Sequence, residues 1–241
     1  MIRGMWVSAS ALGPAQRAEE ILANNLANVS TPGFRQVRFA FQQAAGAAGL
    51  PTLPGGAPAP GQAPGLTTQL DLSEASLETT GNPLDLSVVG SGFFAVQGPG
   101  GPLYTRDASL VRGLDGTLLH RSGYPILTES GPVVVPDGGT FDVGPDGTVK
   151  VDGETFGRLQ VVELPDPTNL RLAGRNLIQT DAPVVAIESP QVVQGASEGA
   201  NADPVETMVE MMAVLRAFQA NQSAILTQDS SLGQLIRWAS S

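Results

Sequence analysis

Residues 204–236 read PVETMVEMMAVLRAFQANQSAILTQDSSLGQLI. The apolar side chains of this stretch recur at alternating steps of three and four residues, which is typical of a helix with one apolar face. Asp203 can cap this helix, Pro204 suits its first position, and Glu206 lies three residues after the cap. The sequence therefore predicts a helix of about 35 residues, which is roughly 50 Å long at ~1.5 Å rise per residue.

The apolar side chains of this helix define a seam that needs a partner helix to cover it. We assign to the seam Met208, Met211, Leu215, Phe218, Ile225, Leu232 and Ile236. An amphipathic helix packed on an ordinary globular core shows the same spacing, so periodicity alone leaves both interpretations open.

A second helical pattern occupies residues 1–29 and supplies the natural partner. Gly13-Pro14 interrupts it, and we expect a break or kink there because proline lacks a backbone N–H. The run NNLANVSTPG, residues 24–33, should end the helix, since Asn, Ser and Thr disfavour helix interiors. We expect the two terminal helices to pair as a coiled coil, in which the N-terminal helix contributes Leu12, Leu22, Leu26 and Val29.

The middle of the chain has a different character. Residues 44–65 form a Gly/Pro/Ala-rich tract, which is typical of a linker or an extended arm. From about residue 84, short alternating apolar runs are separated by Asp-Gly pairs, which supply the positive φ angles of tight hairpins. The sequence therefore predicts an α+β fold with a central, mostly antiparallel β domain. The expected divisions are a helical segment 1–43, an arm 44–66, a β domain 67–195 and a helical segment 196–241.

Composition excludes several classes of partner. The chain carries 23 acidic and 13 basic residues, and its formal net charge of −10 argues against nucleic acid as a partner. It has no cysteine, which rules out disulfides and Cys-ligated metals. No run approaches the ~18 apolar residues of a membrane span. The helical pattern continues through the short apolar stretch after Arg3, so we expect neither membrane insertion nor a cleaved signal peptide.

No group of residues has the pattern of a catalytic or metal site. His120 is the only histidine, which excludes multi-histidine zinc sites, and no nucleophile elbow supports a Ser-His-Asp triad. The Asp-Gly pairs lack the ligand ladder of a calcium loop, so we interpret them as turns. We therefore expect no enzyme activity and no cofactor.

Several blocks of sequence carry a resemblance to a known family. ANNLANVSTPGF at 23–34, GSGFFAV at 90–96, YTRD at 104–107 and RAFQANQ at 216–222 occur in the order typical of bacterial flagellar axial proteins. The chain is most similar to the proximal and distal rod proteins of the FlgF/FlgG type. The resemblance covers nearly the whole chain, and only the tract at 44–65 matches nothing.

The resemblance implies a structural subunit of the flagellar basal-body rod, which polymerises through its terminal helices into a tubular drive shaft. It implies as partners further copies of the chain, other rod and hook subunits, and the type III export apparatus. Asn24, Asn25 and Asn28 would then hydrogen-bond neighbouring backbone in the tube. The alternatives are a hook or other axial component and a β-rich secreted adhesin.

Overall fold

The computed structural model of this 241-residue chain describes residues 2–42, 65–174 and 176–239, with side chains from residue 8 onward except at 168, 235, 236 and 239. The chain divides into two compact units. We name Met1–Ala27, Val37–Gln69 and Asp203–Ser241 the helical unit, and Asn28–Gln36 with Leu70–Ala202 the β unit. Of the predicted arm at 44–66, only Gly65 and Leu66 lie within the described residues.

Two long helices dominate the helical unit. Helix α1 spans Ile2–Ala27 and helix α2 spans Pro204–Ala239, and the two pack against each other. Strands β1 (Val37–Gln42) and β2 (Gly65–Leu70) pair as a two-stranded sheet, and β1 also contacts α1. Both helices were predicted from their periodicity, whereas the strand pair was not.

Helix α1 continues through Gly13-Pro14, so of the break or kink predicted at this position the break is absent. A proline inside a helix loses the hydrogen bond of its own nitrogen, and its ring crowds the carbonyl four residues earlier, which together cost about 3 kcal/mol. The buried face of α1 includes Ala15, Ala18 and Leu22, directly after the proline. Burial of this face compensates for the lost bond, because tertiary packing supplies most of the stability of helices in proteins.

The β unit consists of short strands joined by tight turns, together with a 3-10 turn at Pro167–Asn169. Its strands are β3 (Leu77–Thr79), β4 (Asp85–Val89), β5 (Gly92–Gly98), β6 (Gly101–Thr105), β7 (Ala108–Arg112), β8 (Leu118–His120), β9 (Leu127–Thr128), β10 (Gly131–Pro132), β11 (Phe141–Val143), β12 (Thr148–Val151), β13 (Glu154–Arg158), β14 (Val161–Glu163), β15 (Leu170–Leu172), β16 (Ile178–Thr180), β17 (Val185–Ala186), β18 (Gln191–Gln194) and β19 (Ala196–Glu198).

These strands form a six-stranded sheet of order β15-β16-β6-β5-β14-β17 and a four-stranded sheet of order β18-β4-β7-β8. A three-stranded sheet, β11-β12-β13, and the pairs β9-β10 and β3-β19 complete the unit. Within the described residues, every strand pair of the β unit with an assigned register is antiparallel. The chain is therefore an α+β protein with two long helices and a mostly antiparallel β body.

A large apolar core packs several of these sheets together. It collects buried side chains from β4, β5, β7, β8, β11, β12, β14 and β18, with Phe94, Leu86 and Leu118 among the most deeply buried. The hairpin between β12 and β13 turns at Asp152-Gly153, where both residues have positive φ angles of 53° and 82°. Two successive positive φ angles match the twist of a tight hairpin, so this Asp-Gly pair is a turn, as the sequence predicted.

Candidate assembly surface

The helical unit is built around a small cluster of buried side chains. Ala15, Ala18 and Leu22 of α1 pack with Val214 of α2, and Leu22 is only 1% exposed. Met211 and Phe218 of α2 and Phe39 and Leu66 of the strand pair cover this cluster. The alanines carry small side chains, which let neighbouring elements approach closely, and Leu22 is the largest of the three α1 side chains in this cluster. Full burial of a leucine side chain contributes about 1.5–3 kcal/mol.

Asn25 joins α1 to strand β1. Its side-chain Nδ2 donates to the carbonyl of Val37, and its Oδ1 accepts from the Val37 N–H, both at 3.0 Å. The Asn25 side chain is 3% exposed, so these bonds are shielded from water. Asn25 therefore hydrogen-bonds backbone of its own chain, and the pair of bonds imitates the exchange between two strands.

Helix α2 begins as the sequence predicted. Asp203 Oδ1 accepts from the N–H groups of Val205 at 2.7 Å and Glu206 at 3.0 Å. The Asp203 carbonyl also accepts from the Thr207 hydroxyl at 2.7 Å. These bonds satisfy two N–H groups that have no partner inside the helix, and a carboxylate at a helix N-terminus is also favourable to the helix dipole.

The first two turns of α2 expose a stripe of large apolar side chains. We name Val205, Met208, Val209 and Met212 the α2 stripe, and their exposed fractions are 69%, 49%, 56% and 51%. At about 100° per residue, these four positions lie roughly opposite to Thr207, Met211 and Val214, which face the interior. This part of α2 therefore has two apolar faces, one packed within the chain and one open to solvent.

The structure gathers some of the residues predicted for the helical seam and leaves others apart. Leu22, Met211 and Phe218 meet in the buried cluster. The side chain of Ile236 is outside the described residues. Met208 and Asn24 are exposed, and Asn28 is buried. The half-buried members of the predicted set are Leu12, Leu26, Val29, Leu215, Ile225 and Leu232.

Sequence reasoning missed Val214 and Ala18, although both are buried. The predicted seam ran through 208, 211, 215 and 218, whereas the inward face of α2 runs through 207, 211, 214 and 218. Both series alternate steps of three and four residues, and they share Met211 and Phe218. Because Val214 and Leu215 are adjacent and both apolar, periodicity could not choose between them.

A buried charge network connects the segment after α1 to the rest of the β unit. Glu198 bonds Arg35 Nη2 through Oε1 and Arg106 Nε through Oε2, the latter at 2.8 Å. All three side chains are 1% exposed. Ala75 N–H also donates to Glu198 Oε1 at 2.8 Å. One carboxylate therefore ties together four separate stretches of the chain.

Arg106 makes further contacts besides its bond to Glu198. Its Nη1 donates to the carbonyls of Gly90 and Gly92, and its guanidinium lies 5.3 Å from the centre of the Phe93 ring. Burial lowers the pKa of Arg35, and the nearby Glu198 carboxylate opposes that effect. Two guanidinium groups in this site therefore share the Glu198 carboxylate as a buried countercharge.

Asp107 and His120 form a second buried pair in the β unit. Asp107 Oδ2 lies 3.6 Å from His120 Nε2, a distance that is too long for a hydrogen bond. The same oxygen accepts a hydrogen bond from Asn176 Nδ2 at 2.9 Å. The Ser122 N–H donates to His120 Nδ1 at 3.1 Å. Burial by itself would raise the pKa of Asp107, but the contacts of its carboxylate with His120 and Ser109 outweigh burial and lower this pKa.

Gly33 allows the segment after α1 to pass close to Asp107. It has a φ of +67°, and a Cβ placed on it would lie 2.7 Å from the Asp107 Cβ and 2.9 Å from its Cα. We expect Gly33→Ala to destabilise the β unit by about 2–4 kcal/mol, because backbone strain adds to this overlap. Urea unfolding followed by circular dichroism measures the loss.

The control for this prediction is Gly123→Ala. Gly123 also has a positive φ, of +84°, but a Cβ placed there meets nothing within 4 Å. It should cost only the backbone strain, about 1–2 kcal/mol. Equal losses at the two positions would show that the close approach to Asp107 has no energetic importance.

Two further properties concern the described part of the chain. Its His, Asp and Glu side chains contain no group of three or more placed to hold a metal ion. Its helices are too short or too polar to cross a lipid bilayer.

Three protein-family models match successive parts of the chain. They are described as flagella basal body rod protein at residues 5–35, flagellar hook protein FlgE/F/G D1 domain at 87–151, and flagellar basal body rod FlgEFG protein C-terminal at 193–237. The first covers most of α1 and the segment after it, and the last covers most of α2. The matched regions therefore include both helices that pack in the helical unit.

Curated relatives match over nearly the full length of the chain. A flagellar basal-body rod protein FlgG of Buchnera aphidicola (subspecies Schizaphis graminum) is 32% identical, with 98% of this chain and 99% of the relative covered. The FlgF rod protein of Salmonella typhimurium is 30% identical over 93% and 94% of the two chains, and the Bacillus subtilis FlgG is 28% identical over 98% of each. Identity at this level across both helices and the β unit shows that the chain belongs to the family of flagellar basal-body rod proteins.

Proposed function

We propose that this chain is a structural subunit of the flagellar basal-body rod, and that its copies self-associate through the terminal helices into a tubular, helical drive shaft. Membership of the rod-protein family supports the structural role. The α2 stripe is the observation that carries the assembly mechanism, because a helix already packed on one face presents a second apolar face to solvent.

The physical argument concerns what the α2 stripe can do. Four neighbouring Val and Met side chains, each about half exposed or more, are costly to leave in water. A partner helix removes them from water without disturbing the buried cluster, because the stripe and the cluster lie on opposite faces of α2. A contact between unlike surfaces of identical copies repeats from copy to copy, and it generates a filament when the rotation does not close a ring.

The remaining parts of the proposal follow from this role. The terminal helices pair as a coiled coil, and the seam predicted from sequence closes along α1 and α2 in the assembled tube. Asn24 and Asn28 hydrogen-bond neighbouring backbone there. The chain reaches the basal body through the flagellar type III export apparatus, joins other rod and hook subunits, and performs no catalysis.

The function is tested by deleting the gene in its flagellated host and examining basal bodies by electron microscopy. Complementation with the full chain should restore the rod, and a chain lacking residues 204–241 should not. Intact flagella and normal motility in the deletion strain would refute the proposed role.

Met212→Asp tests the α2 stripe directly. The charge should remain in water in the free chain, where Met212 is 51% exposed, but would be buried by a partner helix. We expect unchanged helicity by circular dichroism and loss of self-association by at least about a hundredfold, since burying an unpaired charge costs several kcal/mol. Analytical ultracentrifugation measures association.

The control is Ala217→Asp, which adds the same charge at an exposed position of α2 outside the stripe. It should associate within about threefold of the unmodified chain, because an exposed charge costs little. Equal loss in both variants would show that added charge anywhere on α2 blocks association, and the stripe would then have no special role.

A further inference from the structure

The charge of this chain is divided unequally between its two units. The β unit contains 17 acidic and eight basic residues, a net charge of −9. The helical unit contains six acidic and five basic residues, a net charge of −1. Nearly all of the formal net charge of −10 therefore belongs to the β unit.

The excess is on the surface of the β unit. Among its described side chains, three basic ones are exposed, namely Arg121, Lys150 and Arg171. Its exposed carboxylates are Glu74, Glu78, Asp115, Glu129, Asp137, Asp142, Asp146, Asp152, Glu154, Glu163, Asp181 and Glu188. In contrast, the buried carboxylates of Glu198 and Asp107 lie beside cationic or ionisable partners. The exposed side chains of the β unit are thus more strongly acidic than its whole composition suggests.

We propose that repulsion between the β units of neighbouring copies opposes self-association, so that salt and the charge of the β unit set the strength of assembly. This inference rests on the proposed function, in which copies of the chain associate. The helical unit is nearly neutral and carries the α2 stripe, so it supplies the attraction, whereas the β unit supplies an electrostatic cost. Like net charge is known to keep proteins apart in solution.

The range of this repulsion depends on salt. The screening length falls from about 30 Å at 0.01 M to about 10 Å at 0.1 M ionic strength. The chain connects each β unit directly to a helical unit, so copies that associate through their helices also raise the local concentration of like-charged β units. Repulsion should therefore be strong at low salt and small at high salt, whereas the apolar contact of the helices should change little over the same range.

The test is sedimentation of the full chain in NaCl from about 0.01 M to about 0.5 M. We expect the concentration at half-association to fall by about tenfold across this range. The informative variant replaces four exposed carboxylates of the β unit, as Glu129→Gln, Glu154→Gln, Asp181→Asn and Glu188→Gln. It should associate at low salt about as well as the unmodified chain does at high salt, and its salt dependence should fall to about twofold.

A matched control restores the charge at other positions. Adding Gln97→Glu, Gln160→Glu, Gln179→Glu and Gln191→Glu to the four-site variant returns the β unit to −9 through four exposed positions, three of them in strands. This eight-site chain should regain the salt dependence of the unmodified chain. If instead it behaves as the four-site variant, the four original side chains act through specific contacts and the proposal is overturned.

Other outcomes separate this inference from the proposed function. Association that is strong but insensitive to salt and to the four substitutions would overturn the repulsion proposal while supporting self-assembly. Failure of every chain to associate at any salt concentration would contradict self-assembly itself, and with it the repulsion that depends on it.

Discussion

Glu198→Gln should cost the β unit about 3–5 kcal/mol of stability, the range found when one member of a buried ion pair is removed. The substitution keeps the size of the side chain but leaves Arg35 and Arg106 as two buried guanidiniums without the carboxylate that bonds both. It also weakens the bond that Glu198 Oε1 accepts from the Ala75 N–H. Urea unfolding measures the loss, and hydrogen exchange should show it in residues 28–36, which Arg35 anchors.

Arg35→Met makes this prediction sharper. It removes one of the two positive charges and leaves Arg106 and Glu198 as a balanced pair, so it should cost clearly less than Glu198→Gln, about 1–2 kcal/mol. Glu188→Gln serves as the surface control, because Glu188 is exposed, and should change stability by less than about 0.5 kcal/mol. A greater loss for Arg35→Met than for Glu198→Gln would contradict this account of the network.

Leu22→Asp should disrupt the packing of α1 on α2 while the β unit keeps its fold. Leu22 is 1% exposed and lies in the cluster with Ala18 and Val214, so an aspartate there loses the apolar contact and buries a charge. Leucine truncation in a core costs about 2–5 kcal/mol even without a charge, and we expect about 4 kcal/mol or more. Hydrogen exchange should show α1 and α2 losing protection and β4, β5 and β14 retaining it.

Leu226→Asp is the control, since it makes the same substitution on α2 at a side chain that is 70% exposed. Protection of both helices should be unchanged in this variant. If Leu22→Asp also removed protection from the β strands, the two units would fold as one cooperative body, and their separate energetic description would be wrong.

The buried charge network accounts for the turn and the buried side chains of the segment after α1. Residues 28–36 belong to the β unit although they directly follow a helix of the other unit. Gly33 donates its N–H to the Glu198 carbonyl at 2.7 Å, and the Phe34 carbonyl accepts from the Asn201 N–H at 3.3 Å. The side chain of Phe34 is 1% exposed. The Pro-Gly turn therefore brings a buried aromatic ring and a buried arginine into the β unit.

Local signals in the sequence were sufficient for the helices and for many of the strands. The cap at Asp203 and the periodic run after it predicted where α2 begins, and Ala27 ends α1 inside the Asn-rich run. Strands such as β4, β5, β12 and β18 coincide with apolar runs between turn residues. These features depend on neighbours within a few residues, so one sequence contains the information.

Other strands gave no local signal. The YTRD stretch at 104–107 was noted only as a resemblance, yet β6 ends at Thr105 and β7 begins at Ala108. Strands β15 and β16 are short and mixed in polarity, and they exist because they extend the edge of the six-stranded sheet. Pairing to a distant edge is a property of the folded chain, and β propensity is weak without it.

The sequence alone was enough to predict the two helices, the turn-rich β character of the middle, the acidic balance and the family. The folded structure was needed to show that Val214 rather than Leu215 faces the buried cluster, and that Arg35, Arg106 and Glu198, separated by up to 163 residues, share one buried site. The difference follows from the sequence separation over which each interaction acts. Capping and periodicity act within a few residues, whereas burial and ion pairing depend on which distant segments the fold brings together.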